Sequence, residues 1–443
     1  MKRDVNRREF FGITGRAAVG AGLAARGLTA ASALGANEKV VMGVIGCGGQ
    51  GTADMIEFTK FDGVEIAAVC DVDSQHAEAA AAECVKRDRP KPKMFKDFRQ
   101  LLDIKDLDAV IIGTPDHWHA LPFCLACEAG KDIYCEKPLA QNFVEAKTML
   151  HAARRFNRVA QINTWQRTLP HFQEAIRFVR SGAMGKITVG RGWNVNPVVG
   201  WLKPIGNEKP QTPPPNLDWD FWLGPAPMVP YQSNRCHFNW RWFWDYGGGL
   251  MTDWGVHVLD IVLLGMNDLE PVEVHGVAGK YFMTDDRETP DTQQVIYRFK
   301  NWLMNWETRM NNGRGLDGGN GHGSEFIGAN GTLIVDRIEM KYYPETPQVG
   351  KPKNIPGGGD AGLRMNNHVK NFLDCLKSRA QPASDIESMA RVTLICMLGN
   401  MASLTGKPIL WDPVNLDVKN KEDVKNSIAY ERPYRAPWKL PVY

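Results

Sequence analysis

The chain has 443 residues, 43% of them hydrophobic, which is enough for two domains with cores of their own. Lys and Arg number 53 against 50 Asp and Glu, a formal charge of +3 with no basic block or aromatic–basic alternation, so no nucleic-acid partner is expected. Nine cysteines, an odd number without regular spacing, argue against a disulfide framework and a structural zinc site, and no metal is expected.

The chain opens on Asn6-Arg7-Arg8-Glu9-Phe10-Phe11, a Gly/Ala-rich run interrupted by Arg16 and Arg26, and Ala31-Ser32-Ala33. Residues 1–33 are similar to a twin-arginine export signal and are expected to stand outside the fold. The expected location is the periplasm or the exterior, reached through the twin-arginine machinery. The alternatives are a retained signal acting as an anchor and a frayed basic helix in a cytoplasmic protein. The weakly apolar run is a poor membrane span.

Lys39–Ile45 is predicted as a strand, and Ala53–Phe58 begins the next helix. Strands follow at Val64–Cys70, Asp108–Ile112, Asp132–Cys135 and Val159–Ile162, with helices at Ser74–Arg87, Leu121–Ala129 and Phe143–Arg155. This alternation predicts an α/β fold that begins with a Rossmann doubly wound parallel sheet over residues 38–162. Cys124 and Cys127 have redox-motif spacing but lie in an apolar helix pattern and read as packing.

Within that domain Gly46, Gly48 and Gly51 have the spacing of the dinucleotide fingerprint, after a strand and before a helix. Gly46-Cys47-Gly48-Gly49-Gln50-Gly51 is the expected cofactor loop, with the pyrophosphate at the helix N-terminus. Asp71, at the next strand end, is expected to accept from the adenosine ribose and to favour NAD over NADP. Its other reading is a cap or a solvated turn residue. Thr114 and Pro115, with His117 and His119, follow the next strand at the ligand edge. The two histidines face the cofactor, cap the following helix or remain solvated. Glu136-Lys137-Pro138 follows Asp132–Cys135, where Pro138 restricts the backbone before it and directs Lys137 to the sheet edge.

The pattern changes after Gln166. A helix fits Leu169–Arg180, and Ile187–Val195 alternates like a strand. Pro197–Pro230 is a long Pro- and Trp-rich excursion of the kind that usually carries function. Several of the 14 Trp fall between Trp193 and Trp254, where they either line a carbohydrate site or fill a core. Trp240 and Arg241 are expected to bind substrate.

Gly247-Gly248-Gly249 then opens a segment in which Asp253 and His257 stand four apart, on one predicted helix face. His257 has the pKa class of a base for a hydroxyl proton. Asp253 either orients its imidazole or grips a neighbouring hydroxyl, and Asp260 either caps or sets the tautomer. A helix cap, a satisfied polar pair and a metal site are the other readings.

Strands are predicted at Val272–Gly279, Thr292–Phe299, Leu303–Met310, Gly323–Ala329 and Thr332–Val335, antiparallel in style. Pro344–Gly362 reads as a loop or linker. Helices at Asn367–Lys377 and Ile386–Thr405 are expected to rejoin the first domain. The expected divisions are 163–360 for the substrate and oligomerisation domain, 365–413 for the returning helices and 414–443 for a C-terminal tail.

Taken together, the fingerprint with Asp71, the Thr114–His119 run, Glu136-Lys137-Pro138 and the Gly247–His257 segment resemble the Gfo/Idh/MocA family of sugar and cyclitol oxidoreductases, over roughly Glu38 to Pro413. The resemblance implies a C-terminal α/β domain with an open, mostly antiparallel sheet that commonly forms dimers or tetramers. It implies Lys137 and His257 as the catalytic pair with Asp253 as substrate-binding partner. It places Asn163 against cofactor or substrate, and Gln166 and Arg167 near sugar hydroxyls. One branch is similar to glucose–fructose oxidoreductase, which retains its cofactor. Another is similar to the NAD-dependent α-N-acetylgalactosaminidases, although Glu136-Lys137-Pro138 is more typical of dehydrogenases. The expected activity is hydride exchange between NAD(P) and a sugar, cyclitol or glycoside. The alternatives are redox-neutral glycoside cleavage and a nonenzymatic sugar or cofactor sensor.

Overall fold

The computed structural model describes residues 39–197, 199–347, 350 and 361–443. The expected export signal and most of the Pro/Gly-rich loop Pro344–Gly362 lie outside these residues.

Six parallel strands form the first sheet: β1 (Val40–Ile45), β2 (Val64–Cys70), β3 (Lys93–Phe95), β4 (Ala109–Ile112), β5 (Asp132–Cys135) and β6 (Ala160–Ile162). Their order is β3-β2-β1-β4-β5-β6, so the direction of winding reverses between β1 and β4. In open α/β sheets that reversal opens a crevice at the carboxyl ends of the strands. The register aligns Ile45 with Cys70 and Ile112, Ile112 with Cys135, and Cys135 with Ile162. Gly46, Asp71, Gly113, Glu136 and Asn163 therefore leave the sheet along one edge. The apolar runs of β4 and β5 are buried throughout, as both faces are covered by helices. β3 was not expected; its Lys93-Met94-Phe95 is too short and exposed to leave a periodic signal.

The second sheet has nine strands: β7 (Ile187–Val195), β8 (Glu273–Gly279), β9 (Thr292–Arg298), β10 (Leu303–Arg309), β11 (His322–Gly328), β12 (Gly331–Val335), β13 (Met340–Pro344), β14 (Ile409–Asp412) and β15 (Asp417–Val418). Their order is β13-β12-β11-β7-β10-β9-β8-β14-β15, antiparallel at every pairing among the described residues except β7 with β10. Helix Gly255–Met266 packs on its inner face, and Val277, Ile296 and Leu303 are exposed along β8, β9 and β10.

The late helices meet the first domain, and the C-terminal segments also reach the second sheet. Helix Ile386–Thr405 packs on β8 and β9 as well as on helix Phe143–Phe156, because it is apolar nearly all round and must be covered on every side. The stretch after it supplies β14 and β15. Its end straps the first domain, where Tyr434 donates to Glu145 (2.8 Å) and Tyr443 to Glu128 (2.8 Å).

Between β7 and helix Gly249–Asp253 the excursion runs back to the first domain. Asp218 N donates to Val72 O (3.1 Å), Ser74 N to Asn216 O (2.9 Å), and Leu217 bridges Asp73. The excursion therefore lies beside the loop that follows β2.

Candidate active site

A cleft of about 540 Å³ opens at the strand reversal, between the glycine loop and the excursion. Gly46 has φ +85°, and a Cβ there would lie 2.6 Å from Thr114 N. A Cβ on Gly51 would lie 1.9 Å from Gly46 O, so both glycines answer to backbone packing. Gly48 and Gly49 differ: an added Cβ would meet at most His76, at 3.9 Å, yet both residues line the cleft. Their missing side chains leave room for a ligand. Helix Gly49–Thr59 begins there, and its first-turn N–H groups suit a pyrophosphate.

Asp71 lines the same cleft and also serves the turn. Its Oδ2 accepts from Cys47 N (2.7 Å) and its Oδ1 from Asp73 N (2.9 Å). Each oxygen keeps a lone pair for a ribose hydroxyl. Thr114, Pro115, Gln50, Glu136, Trp240 and Arg241 also line this cleft.

Three expected cofactor residues sit elsewhere. The Cys47 side chain is buried, with Sγ donating to Cys70 O (3.5 Å), so it packs under the loop. The His117 ring is buried against Trp222 and Tyr246, with Nε2 3.1 Å from Trp222 O. His119 places Nδ1 2.8 Å from Pro138 O and Nε2 2.9 Å from Thr114 O. Burial pushes it down to about 4, so at neutral pH its single proton serves one of those carbonyls. Both histidines brace the loops that form the cleft and do not line it.

A second pocket of about 350 Å³ adjoins the cleft; Gln50, Glu136, Lys137, Phe238 and Arg241 line both. Lys137 stands at this junction and donates from Nζ to Asp253 Oδ1 (2.6 Å) and Asp253 O (3.2 Å). Glu136 accepts from Lys137 N (3.0 Å) and from Asn163 Nδ2 (2.6 Å), and Tyr134 OH donates to Asn163 Oδ1 (2.8 Å). Asn163 is thus fixed from two sides where it lines the pocket. Burial opposes ionisation of Asp253, but Lys137 and then Arg241 outweigh it and hold the carboxyl below its ordinary range.

Asp253 and His257 do line one pocket, but not from one continuous helix. The chain breaks at Trp254 between helices Gly249–Asp253 and Gly255–Met266. Asp253 does not orient the imidazole; it holds Lys137. His257 Nδ1 is buried and has no hydrogen-bond partner among the described residues. Burial, then Arg337 and Lys137, pushes His257 well below its ordinary value, so it is neutral near pH 7.

Three further residues, Arg167, Asp260 and Gln166, differ from expectation. Arg167 is buried and grips Asp260 with two hydrogen bonds, Nε to Oδ2 (2.8 Å) and Nη2 to Oδ1 (2.5 Å). Arg167 therefore ties a turn to a helix instead of reaching a sugar, and Asp260 sets no tautomer. Gln166 lies behind the pocket, where its Oε1 accepts from Arg337 Nε (3.1 Å).

Arg337 itself was not anticipated. Its guanidinium lies 4.4 Å from the ring centres of both Trp165 and Trp254, and all three line the second pocket. An arginine in a short turn after β12 carries no motif. Asp116 was also missed. It is buried in the first cleft with Oδ1 unpartnered among the described residues, and burial, then Asp253, pushes its carboxyl well up. Of the aromatic cluster, Trp193 and Trp242 are core, while Trp240 and Trp254 line the two cavities, joined there by Trp165 from an earlier segment.

Comparison with known proteins matches two domains in succession along the chain. The NAD-binding Rossmann fold of the Gfo/Idh/MocA oxidoreductase family matches residues 40–164, and that family's C-terminal alpha/beta domain matches residues 170–301. Glycosyl hydrolase family 109 protein 1 of Shewanella sp. (strain ANA-3) and an alpha-N-acetylgalactosaminidase of Shewanella oneidensis are each 30% identical over 179 residues, 39% of this chain and 38% of theirs. The chain thus matches well under half the length of these curated relatives. A levoglucosan dehydrogenase in complex with NADH and L-sorbose shares the fold at 20% identity and TM-score 0.66, over 84% of this chain and 99% of that one. An aldose-aldose oxidoreductase from Caulobacter crescentus complexed with glycerol does so at 19% identity and TM-score 0.62, over 84% and 100%.

Proposed function

The chain belongs to the Gfo/Idh/MocA oxidoreductase family, with an NAD-binding Rossmann domain, and from this premise we propose that it exchanges hydride between NAD and a hydroxyl-bearing carbon of a sugar, cyclitol or glycoside. The observation that carries the reading is the junction of the two cavities, where Lys137, fixed by Asp253, stands in one pocket with a neutral His257. The cleft fits the cofactor, since Gly48 and Gly49 leave it open and Asp71 offers ribose acceptors. Bound NAD supplies the hydride-accepting ring. In the oxidative direction His257 takes the hydroxyl proton, Lys137 donates to the same oxygen, and Asp253 keeps the ammonium in position. Trp165, Trp254 and Arg337 offer a stacking and hydrogen-bonding wall suited to a sugar ring.

Export through the twin-arginine route is part of this reading and rests on Arg7-Arg8 and the run that follows. The excursion beside the adenosine end of the cleft favours a cofactor kept through export and restored within each turnover. A homodimer or homotetramer built on the open sheet face would cover Val277, Ile296 and Leu303.

The test is a panel of sugars, cyclitols and glycosides followed by reduced-nicotinamide absorbance of the purified protein. Substrate-dependent reduction is expected; silence across the panel with NAD bound would favour a sensor. The likeness to an alpha-N-acetylgalactosaminidase supports a second reading, in which transient oxidation acidifies a ring C–H and the aglycone is eliminated. Aryl-glycoside cleavage that requires NAD without net reduction would select it.

A further inference from the structure

At the adenosine end of the cleft, outside the residues assigned to catalysis, three side chains from distant parts of the chain converge. Asp73 caps helix Ser74–Lys86, His76 lies in that helix's first turn, and His237 comes from the stretch that follows the excursion, before helix Gly249–Asp253. One ligand atom from each lies within 4.8 Å of the others. Asp73 divides its oxygens: Oδ1 accepts from Gln75 N (2.9 Å) and Asn216 Nδ2 (2.8 Å), while Oδ2 lies 3.1 Å from His237 Nε2. The two imidazole rings sit 4.4 Å apart between centroids. A second carboxylate oxygen, Asp71 Oδ2, is 3.6 Å from His76 Nδ1.

We propose that Asp73, His76 and His237 form a site for one divalent transition-metal ion, which clasps the stretch carrying His237 to the first domain. Two imidazoles and a carboxylate are the donor set of zinc, cobalt and nickel sites, with solvent completing the shell. Metal–ligand bonds of about 2.0–2.2 Å require the donors to draw closer. His76 and His237 are partly exposed and have the freedom to do so, while Asp73 is held by its cap. The sequence gives no spacing signal for such a site, because one imidazole comes from the first domain and the other from the far side of the excursion.

The clasp has a consequence that rests on the nucleotide reading above. His76 and His237 both line the cleft that takes the cofactor, so joining them narrows the way out for adenosine. Metal-loaded protein is expected to release NAD several-fold more slowly than metal-free protein.

The test uses tag-free, full-length protein stripped with EDTA. Titration with ZnCl2 by calorimetry and with CoCl2 by visible absorption should show one equivalent per chain, with a cobalt spectrum of imidazole ligation. Binding should be lost in His237→Ala and in His76→Ala and kept in Lys137→Ala. Absence of zinc and cobalt binding, or binding undiminished in both histidine variants, would overturn the site. NAD release is then timed with and without ZnCl2; equal rates in the wild type would overturn the clasp. Protein that binds zinc in this way but never takes up NAD would contradict the nucleotide reading and leave the metal site standing.

Discussion

Lys137 Nζ and Asp253 Oδ1 lie 2.6 Å apart, and this contact joins the loop after β5 to the end of helix Gly249–Asp253. Both side chains are largely buried, so the ion pair is little screened and the ammonium has a fixed position. Removing the ammonium should damage turnover and spare the cofactor cleft. Lys137→Ala is expected to lower kcat by about 100-fold or more. NAD affinity, measured by calorimetry, should change little. Unchanged kcat would remove Lys137 from the chemistry.

His257 determines the acid side of the pH profile. A base works only when deprotonated, so activity falls as pH drops through its folded pKa. Burial, with Arg337 and Lys137, sets that pKa well below 6.5. The acid limb of kcat/KM attributable to His257 should therefore lie below about pH 6.5, with no loss between pH 8 and that point. A limb centred at or above pH 6.5 that disappears in His257→Gln would contradict the burial argument.

The glycine loop separates packing from binding. Gly51→Ala forces a Cβ against Gly46 O and should destabilise the fold by roughly 1–3 kcal/mol or more. Gly49→Ala meets no protein atom within 4 Å and replaces a glycine in a helix. It should leave Tm unchanged or slightly raised while weakening NAD at least tenfold. Equal NAD binding by wild type and Gly49→Ala would place the pyrophosphate elsewhere.

Arg167 should behave as a structural residue. Arg167→Met leaves Asp260 buried without its cation, at a cost of about 3–5 kcal/mol. Urea unfolding should show that loss, while KM for the substrate, measured where the variant is still folded, should hold. A raised KM at unchanged stability would return Arg167 to the substrate site.

What could be read from the sequence follows the range of each interaction. The glycine fingerprint, Asp71 and the ends of β1, β2, β4 and β5 are local patterns, and parallel register carries them to one edge. Lys137, Asp253 and His257 were recognisable because each sits in a short motif, although the helix break at Trp254 was not. The roles of His117, His119 and Arg167 depended on partners outside their own motifs: Trp222, Pro138 and Asp260. Arg337 depended on two tryptophans from separate segments. β13, β14 and β15 are short and draw their stability from neighbours already in the sheet, so period-two patterning said little about them.

The most direct test of the account follows deuterium. Protein charged with NADH deuterated at the transferable C4 position is given the oxidised form of the best substrate from the panel, and the product is analysed by mass spectrometry. Wild type is expected to place one deuterium on the product carbinol carbon, with transfer slowed by about 100-fold or more in Lys137→Ala. Product formed without deuterium, or label transferred equally well by the variant, would contradict hydride exchange at the Lys137–His257 junction.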